Sequence, residues 1–434
     1  MAQEIVIVGG GAGGLVLAAK LARKRHAHVT LVDSSSTHLW KPLLHEVAAG
    51  SLNSNEGEIG YRAYARGHQF NFQLGKLSAL DRNEQEITID EVRDEQGEPY
   101  LPARTLHYHK LVIAIGSVTH DFGIAGVSEH CLFLDNRQQA DRFHRALLQR
   151  CYAANAQTSP LSEGQLHIAI AGAGATGVEL AAELQYALPQ VIDAGLDRLN
   201  FERDIKIHLV EAAPRILPGL PERISVATQT VLDQVGINTF TNARIRTATT
   251  SGFTTQDGPF IPAGLKVWAA GVKAPDLLSN LDGLETNNLN QLLVTSTLQT
   301  TRDENIFALG DCAACPIGPN ETELAPPRAQ AAYQQASFLA KTMIKVVAGH
   351  PASFSYRDNG SLINLSEHSA IGKLMGNLFG RASGSVFIEG WFARLAYASL
   401  YKTHLVSLHG VVRVALMSAA NLLSRRTKPR LKLH

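Results

Sequence analysis

Short apolar runs that end in glycine-rich turns are the dominant pattern along this chain of 434 residues. The apolar residues 5–8 are followed by the sequence GGGAGG, and the apolar residues 168–171 are followed by GAGATG. A short apolar run bounded by turn residues is typical of a strand that is buried on both faces of a parallel sheet. An alanine- and leucine-rich segment follows each turn. Both stretches therefore predict a strand, a tight turn and a helix.

Both turns contain the spacing Gly-x-Gly-x-x-Gly, which suits the binding of a dinucleotide. The first glycine allows the tight turn, the second lets a pyrophosphate approach the backbone, and the third lets the helix pack closely on the strand. The unpaired N–H groups and the dipole of the helix N-terminus then stabilise the phosphates. The glycines concerned are Gly9, Gly11 and Gly14 in the first turn and Gly172, Gly174 and Gly177 in the second.

An acidic residue follows each of these units at the end of the next predicted strand. Asp33 ends the stretch VTLVD, and Glu211 follows the stretch IKIHLV. A carboxylate at this place accepts hydrogen bonds from the ribose 2′-OH of an adenosine, and it repels the 2′-phosphate of NADP. The second unit is therefore predicted to prefer NADH over NADPH, although Arg215 lies near enough in sequence to soften that preference. Two dinucleotides on one chain indicate a flavin and a nicotinamide, and hence electron transfer.

The remaining pattern predicts an α/β fold with two Rossmann-like dinucleotide-binding domains and a C-terminal region. Helices are expected at 137–154 and at 326–347, the second with Pro326 and Pro327 in its first turn. Three further stretches predict buried strands that run into turns of small residues. They are KLVIAIGS at 110–117, LKVWAAGVKAP at 265–275 and NIFALGDCAA at 305–314.

Composition and charge narrow the class of protein. The length allows two or three domains, and a net charge of +1 gives no whole-chain field that would favour nucleic acid. Four cysteines do not form a disulfide framework. The first residues show no signal or transit peptide pattern, so we expect the chain in the cytosol or on the cytosolic face of a membrane. Residues 390–434 contain eight Lys or Arg and no acidic residue, which suggests an anionic surface as a partner.

The C-terminal residues 391–423 are mostly apolar but are interrupted by Lys402, His409 and Arg413. Because a spanning helix needs about 20 apolar residues without charges, we do not expect this segment to cross a membrane. On one continuous helix these cations and Arg394 share an arc, so the segment predicts an interfacial helix, or a helix pair broken at Gly410. The basic tail that follows would add attraction to an anionic leaflet. The alternative is a buried packing helix with a solvated tail.

Several longer motifs resemble type II NADH:quinone oxidoreductases, which belong to the flavoproteins with two dinucleotide-binding domains. The motifs are PLLHEVAAG, GATGVELAAEL, ILPGLPERIS, LQTTRDENIFALGDCA and PPRAQAAYQQA. The resemblance implies an FAD-binding domain at 1–120 and 286–347, an NADH-binding domain at 121–285 inserted in it, and a membrane-anchoring region at 348–434. The stretch 38–52 contains no cysteine pair, which argues against a disulfide reductase.

The resemblance also implies roles for individual residues. Asp311 would bind the ribityl chain of the flavin, with Gly310 allowing its close approach. Glu179 would lie near the nicotinamide and flavin rings and orient the nicotinamide or relay protons, with Glu183 one turn further on as the second choice. The other residues expected to border a cofactor are Lys41, Pro42, Gly116 and Ala329 for FAD and Gly271 for NADH.

Gln330 and Gln334 are four residues apart and therefore share one helix face. Beside them Ala329, Ala332 and Ala336 form a stripe of small residues that would let a flat ring lie close to the helix. The resemblance assigns these glutamines to the quinone site. The alternative is an alanine-rich packing helix with solvated glutamines.

We therefore predict a peripheral flavoenzyme on the cytoplasmic face of the inner membrane. It would oxidise NADH through FAD and reduce a ubiquinone-like quinone without pumping protons, and it could form a homodimer. The alternatives are a soluble NADH-dependent reductase of a protein acceptor and a non-catalytic NADH-sensing flavoprotein. We predict no metal site, since Cys312 and Cys315 are more simply explained as a packed turn than as half of a metal site. His45, Glu46 and Lys373 are weaker candidates, and a lone histidine is more often structural.

Overall fold

A computed structural model describes residues 3–24, 27–52, 58–318, 323–343, 353–366, 369–375 and 385–389, and residues 399–424 except 400, 404, 407 and 409. The chain forms two compact units. The first comprises residues 1–40, 57–118 and 272–358, and the second comprises residues 41–56, 119–271 and 359–434. The second unit thus interrupts the first in sequence. It also includes residues 41–56 and 359–434, which the predicted domain boundaries assign elsewhere.

A five-stranded parallel sheet forms the centre of the first unit. The strand Gln3–Val8 lies between Ala27–Asp33 and Lys110–Ile113, with Asn71–Leu74 and Ile306–Ala308 at the two edges. The side chains of its central strands are almost fully buried, as an apolar run in a parallel sheet predicts. The carboxyl ends of these strands bring Gly9, Asp33 and the turn at Gly310 to one edge of the sheet.

Smaller elements complete the first unit. Its helices are Gly14–Ala22, Tyr61–His68 and Ala329–Thr342, with 3-10 turns at Asp276–Asn280 and Gly310–Cys312. Its other strands are Thr37–His38, Ile59–Gly60, Leu77–Asp81, Glu86–Ile89, Val92–Arg93, Pro99–Leu101, Arg104–His107, Val272–Lys273, Leu292–Leu293, Ala313–Ala314, Pro316–Ile317 and Glu323–Leu324, and the strand Val118–Thr119 lies where the first unit passes into the second.

The second unit repeats this architecture with four parallel strands. The strand Ile168–Ala171 lies between Ile207–Val210 and Leu265–Trp268, and Asn238–Phe240 is the edge strand beyond Ile207–Val210. The helix Ala175–Asp193 follows the glycine turn, as predicted, and all of its residues 177–184 are buried. The same βαβ arrangement is therefore present twice in the chain.

The remaining elements of the second unit include a three-stranded antiparallel sheet that the sequence did not lead us to expect. That sheet is formed by Gly360–Leu365, Ser369–Met375 and Ser385–Glu389, and a second one by Ile245–Thr249, Gly252–Thr255 and Ile261–Pro262. The other helices are Leu44–Ala49, Val127–His130, Arg137–Ala156, Phe201–Asp204, Glu222–Gln234 and Val411–Ser424, and Lys41–Leu43 is a 3-10 turn.

The two helix predictions differ in outcome. The helix Arg137–Ala156 confirms the one predicted at 137–154, and Asn136 caps it by accepting a hydrogen bond from the Gln139 N–H. The helix predicted from 326 begins instead at Ala329, after an extended Arg328. The prediction that Pro326 and Pro327 occupy its first turn is therefore wrong. A proline pushes the residue before it out of the helical region, so consecutive prolines favour an extended approach.

The C-terminal helix Val411–Ser424 begins directly after Gly410, whose φ of +80° does not belong to a right-handed helix. This break favours the helix pair over a single continuous helix. Among the residues that the structure describes, none of the helices is both long and apolar enough to cross a membrane. Arg394, His409 and the basic tail at 425–434, which belong to the membrane prediction, lie outside the described residues.

Candidate active site

The glycines of the first turn divide into two kinds. A Cβ on Gly9 would lie 2.3 Å from the Ala114 carbonyl oxygen, and a Cβ on Gly14 would lie 1.8 Å from the Gly9 carbonyl oxygen. Packing within the protein therefore requires glycine at both places. A Cβ on Gly11 would meet no atom within 4 Å among the residues that the structure describes. The pyrophosphate of a dinucleotide would explain why this second position is glycine, so the turn fits FAD.

Asp33 lies beside the first glycine turn and bonds its backbone. Its Oδ2 accepts a hydrogen bond from the Gly10 N–H at 2.6 Å, and its Oδ1 accepts one from the Ser35 N–H at 2.8 Å. Burial raises the pKa of Asp33, and these two N–H donors act in the opposite direction. The Tyr61 hydroxyl donates to the Gly10 carbonyl at 2.8 Å. The acid and the glycine turn are thus held together by direct hydrogen bonds.

Asp311 lies in a turn that three polar side chains support. Its Oδ2 accepts a hydrogen bond from the Ser117 hydroxyl at 2.8 Å, and its carbonyl accepts one from the Gln291 amide at 2.9 Å. The Gly310 N–H donates to Gln335 Oε1 at 2.7 Å. Our sequence analysis did not select Ser117, Gln291 or Gln335. Gly116 and Gly310 both have positive φ, near +72° and +75°, so each of these turns needs its glycine.

The glutamines of the helix Ala329–Thr342 lie on two different faces, with Gln335 on one face and Gln330 and Gln334 on the other. Gln335 is 1% exposed and anchors the Gly310 turn, and Ala332 lies beside it with its Cβ facing Gly310. Gln334 instead bonds the backbone of Arg357 twice, as a donor at 2.8 Å and as an acceptor at 3.0 Å. Gln330 donates to Asp358 Oδ1 at 3.3 Å. Gln330 and Gln334 therefore do share a face, but their amides bond the protein's own chain.

The second glycine turn repeats the geometry of the first. A Cβ on Gly172 would lie 2.8 Å from the Ala270 backbone, and one on Gly177 would lie 2.0 Å from the Gly172 carbonyl oxygen. A Cβ on Gly174 would again meet no atom of the described residues within 4 Å. Within the described part of the chain, no side chain caps the helix Ala175–Asp193, so its first N–H groups are available to bind phosphates. This second cradle fits NADH.

Glu211 holds the second turn as Asp33 holds the first. Its Oε2 accepts the Ala173 N–H at 2.8 Å, and its Oε1 accepts the Ala213 N–H at 2.9 Å. The Arg215 guanidinium donates to the carbonyl oxygens of its own loop at 2.8–3.0 Å, and these belong to Leu217, Pro218 and Leu220. Arg215 therefore bonds its own loop, and that Glu211 contacts a ribose stays a prediction.

Glu179 lies in a buried group of titratable side chains within the second unit. It is 8% exposed, and its Oε1 accepts the Asn364 N–H at 3.0 Å. The His45 ring lies between two carboxyls, with Nδ1 3.7 Å from Glu179 Oε2 and Nε2 3.9 Å from Glu46 Oε1. Glu183, also buried, adds a third carboxyl close enough to repel the charge of the other two. We call these four residues the carboxyl cluster.

Burial sets the protonation of the carboxyl cluster. It raises the pKa of Glu179 to about 8, against the opposing effect of the Asn364 N–H, and repulsion by Glu46 and Glu183 adds to the rise. It also raises the pKa of Glu46 to about 8, again with repulsion from Glu183. Burial lowers the pKa of His45 to about 4. At neutral pH the two carboxyls therefore hold protons beside a neutral imidazole, an arrangement that suits proton donation near pH 7.

The other predicted residues are placed as follows. Lys41 and Pro42 form an exposed 3-10 turn at the start of the second unit, and their contact with a flavin stays a prediction. Gly271 lies three residues beyond the strand Leu265–Trp268 and has a φ of +67°. Cys312 is fully buried, and its S–H donates to the backbone carbonyls of Ile113 and Leu309. Burial raises the pKa of Cys312 to about 12, which supports the packed turn.

Comparison with known proteins agrees with this geometry. Residues 3–336 match the family model of the pyridine nucleotide-disulphide oxidoreductases. The chain is 42% identical to the type II NADH:quinone oxidoreductase of Haemophilus influenzae over the whole length of both proteins. It is 28% identical to that of Staphylococcus aureus, over 86% of this chain and 90% of the relative. A solved structure of NDH2 from Plasmodium falciparum in complex with NADH superposes with a TM-score of 0.83 at 19% identity, covering all of both chains.

Two glycine cradles on parallel sheets, each with its acid, define a flavoprotein with two dinucleotide-binding units, and the chain belongs to the pyridine nucleotide-disulphide oxidoreductase family. FAD and NADH are accordingly its cofactors. Within that family the chain belongs to the type II NADH:quinone oxidoreductases.

Proposed function

We propose that this chain catalyses the oxidation of NADH and the reduction of a membrane quinone to quinol. The observation that carries the proposal is the glycine turn that occurs in both units. In each turn Gly11 or Gly174 leaves room for a pyrophosphate, and Asp33 or Glu211 lies where it would bind a ribose. The names of the relatives support NADH and quinone as the substrates. FAD, when bound, would supply the redox chemistry that connects hydride donation by NADH with the two-electron reduction of the quinone.

The residues of the chain bind and orient these groups. Gly9, Gly11 and Gly14 would hold the FAD pyrophosphate, and Asp311, kept in place by Ser117 and Gln335, would hold its ribityl chain. The turn at 172–177 would hold the NADH pyrophosphate. Because Arg215 bonds its own loop, we expect Glu211 to favour NADH strongly over NADPH.

Glu179 is the residue we propose for proton delivery. Its carboxyl is protonated at neutral pH, so it can release a proton there, and the neutral His45 imidazole lies 3.7 Å from it. Reduction of a quinone consumes two protons, which these residues would supply. That Gln330 and Gln334 contact the quinone is also proposed, and it requires their amides to exchange their present bonds to Asp358 and Arg357.

We propose a peripheral association with the membrane through the helix Val411–Ser424. Large apolar side chains lie open on this helix, with Val411 69%, Val412 75% and Leu416 67% exposed. Such a surface suits insertion into the boundary between lipid head groups and acyl chains. Arg413 is exposed on the same helix, whereas the Lys402 ammonium donates to the Ser418 hydroxyl at 2.8 Å. From the resemblance to type II NADH:quinone oxidoreductases, we also propose that the chain does not pump protons.

The membrane proposal is tested by sedimentation with phospholipid vesicles of about one-quarter anionic lipid. The double variant Val412→Glu, Leu416→Glu should remain in the supernatant while the wild-type protein sediments. Tyr100→Glu is the matched control, because Tyr100 is an exposed aromatic residue on the first unit. Equal sedimentation of all three proteins would refute this membrane contact.

The catalytic proposal is tested by purifying the protein with phospholipid and measuring NADH oxidation with and without a short-chain quinone, while quinone reduction is followed directly. Fast turnover that needs the quinone and strongly prefers NADH over NADPH is expected. Activity only with a protein acceptor would favour a soluble reductase. Slow flavin reduction without turnover would favour a sensor.

A further inference from the structure

An exposed phenylalanine in an unfavourable backbone conformation lies in the second unit. Phe122 has a φ of +55°, and Gly123 after it has a φ of +66°. The Ile124 N–H donates to the Asp121 carbonyl at 3.1 Å, which closes a four-residue turn around them. Two consecutive positive φ values define a type I′ turn, where Asn, Asp and Gly are strongly preferred. A phenylalanine at the first of these positions is an outlier.

Burial does not explain this phenylalanine, because its side chain is 55% exposed. The turn nevertheless holds it firmly. The Phe122 N–H donates to His120 Nδ1 at 3.0 Å, and the His120 ring stacks on the Phe122 ring at a centroid distance of 4.4 Å and an angle of 17°. A strained residue that is held in place but not buried suggests a function at that place.

The Phe122 ring lies over Gly271. A Cβ on Gly271 would be 2.4 Å from the tip of the ring. Two backbone hydrogen bonds of His120 hold the turn at Phe122 beside Gly271. The buried Trp268 indole donates to the His120 carbonyl at 2.9 Å, and the His120 N–H donates to the Gly271 carbonyl at 3.3 Å. The ring is therefore presented just beyond the carboxyl end of the strand Leu265–Trp268.

The strand order shows which half of a dinucleotide would meet this ring. The glycine turn for the pyrophosphate follows the strand Ile168–Ala171, and Glu211 for the adenosine ribose follows the neighbour on one side, Ile207–Val210. The strand Leu265–Trp268 is the neighbour on the other side. A dinucleotide with its adenosine at Glu211 therefore extends its nicotinamide half toward Gly271 and Phe122.

We propose that Phe122 is a binding residue for the nicotinamide half of NADH, with its ring as the wall against which that half packs. His120 and the type I′ turn hold the Phe122 ring in this position. An aromatic ring suits this task because it offers a flat apolar face to a flat heteroaromatic ring. This inference deepens the proposed function and rests on the binding of NADH by the second unit.

The test uses two variants of the whole protein with FAD bound. Phe122→Asn removes the ring and suits the turn, so its Tm should equal or exceed that of the wild type. Phe122→Tyr keeps the ring. Flavin reduction is followed by anaerobic stopped flow against NADH concentration, with ADP-ribose as a competitor that lacks the nicotinamide.

Phe122→Asn should raise the apparent Kd of NADH at least 10-fold, which corresponds to about 1.4 kcal/mol. It should change the inhibition constant of ADP-ribose less than 2-fold, and Phe122→Tyr should stay within 3-fold of the wild type. An unchanged Kd of NADH in Phe122→Asn would overturn the inference. So would equal weakening of NADH and ADP-ribose. If NADH does not reduce the wild-type flavin at all, the proposed function itself fails, and this inference fails with it.

Discussion

Replacement of Glu179 by glutamine tests the protonation of the carboxyl cluster directly. Glutamine keeps the shape and an oxygen that accepts the Asn364 N–H, but it carries no charge at any pH. In the folded protein the pKa of Glu179 is raised from 4.5 to about 8, mainly by burial. At about 1.4 kcal/mol per pH unit, this rise amounts to about 5 kcal/mol between the two protonation states.

The direction of the pH effect follows from where each state holds its proton. Below pH 4.5 the carboxyl is protonated both in the folded and in the unfolded chain, so it has no effect on stability. As the pH rises from 4.5 toward 8, the unfolded chain loses the proton while the folded chain keeps it, and the free energy of unfolding falls. The free energy of unfolding of Glu179→Gln does not fall in this way, because glutamine does not titrate. Its stability relative to the wild type should therefore rise by about 2–3 kcal/mol between pH 6 and pH 8.

The assay is urea unfolding at pH 6, 7 and 8, followed by circular dichroism on samples of equal FAD content. Glu202→Gln is the matched control, since Glu202 is an exposed glutamate of the same unit. It should change the free energy of unfolding by less than about 0.5 kcal/mol at every pH. A constant difference between Glu179→Gln and the wild type across this range would refute a raised pKa at Glu179.

Three further predictions concern the cofactor cradles. Gly11→Ala should leave the Tm within about 2 °C of the wild type, but the purified protein should retain at least 10-fold less FAD. Gly14→Ala should fold poorly, because its Cβ would lie 1.8 Å from the Gly9 carbonyl oxygen. Equal Tm values for the two variants would contradict this distinction. Glu211→Ser should lower the ratio of kcat/KM for NADH over NADPH at least 10-fold, chiefly by weakening NADH, and an unchanged ratio would be inconsistent with ribose recognition by Glu211. Gln335→Ala should weaken FAD retention, because it leaves the Gly310 N–H without its hydrogen-bond acceptor. Gln335→Glu can still accept that hydrogen bond and should retain more FAD. Equal retention by both variants would argue against an anchoring role for Gln335.

The local parts of the fold were predictable from the sequence because they depend on neighbouring residues. The apolar runs and the glycine spacing located both glycine turns, and the acids at 33 and 211 occupy the positions that the strand ends predict. The pattern of helix 137–156 was equally clear, since Asn136 supplies a capping side chain. In each of these cases a few adjacent residues determine the structure.

The residues that were missed depend on contacts distant in sequence. Gln335 is adjacent to Gln334, yet it faces the Gly310 turn, 25 residues away. A lone histidine in a sequence is more often structural. The position of His45 between Glu46 and Glu179 arises only where the helices Leu44–Ala49 and Ala175–Asp193 pack together. Phe122 gave no periodic signal at all, because its importance depends on a backbone conformation that favours other residue types. A signal that would have found Gln335 is the buried face that it shares with Ala332 and Ala336.

We expect one flavin on this chain to accept electrons from NADH and to donate them to quinone. Double-mixing stopped flow measures both transfers in one experiment: the enzyme is first mixed anaerobically with one equivalent of NADH and then with a short-chain quinone, while flavin absorbance is recorded. We expect rapid bleaching by NADH, then complete recovery of the oxidised flavin with one quinol formed per flavin. A flavin that bleaches with NADH but stays reduced in the presence of quinone would refute electron transfer to quinone by this protein.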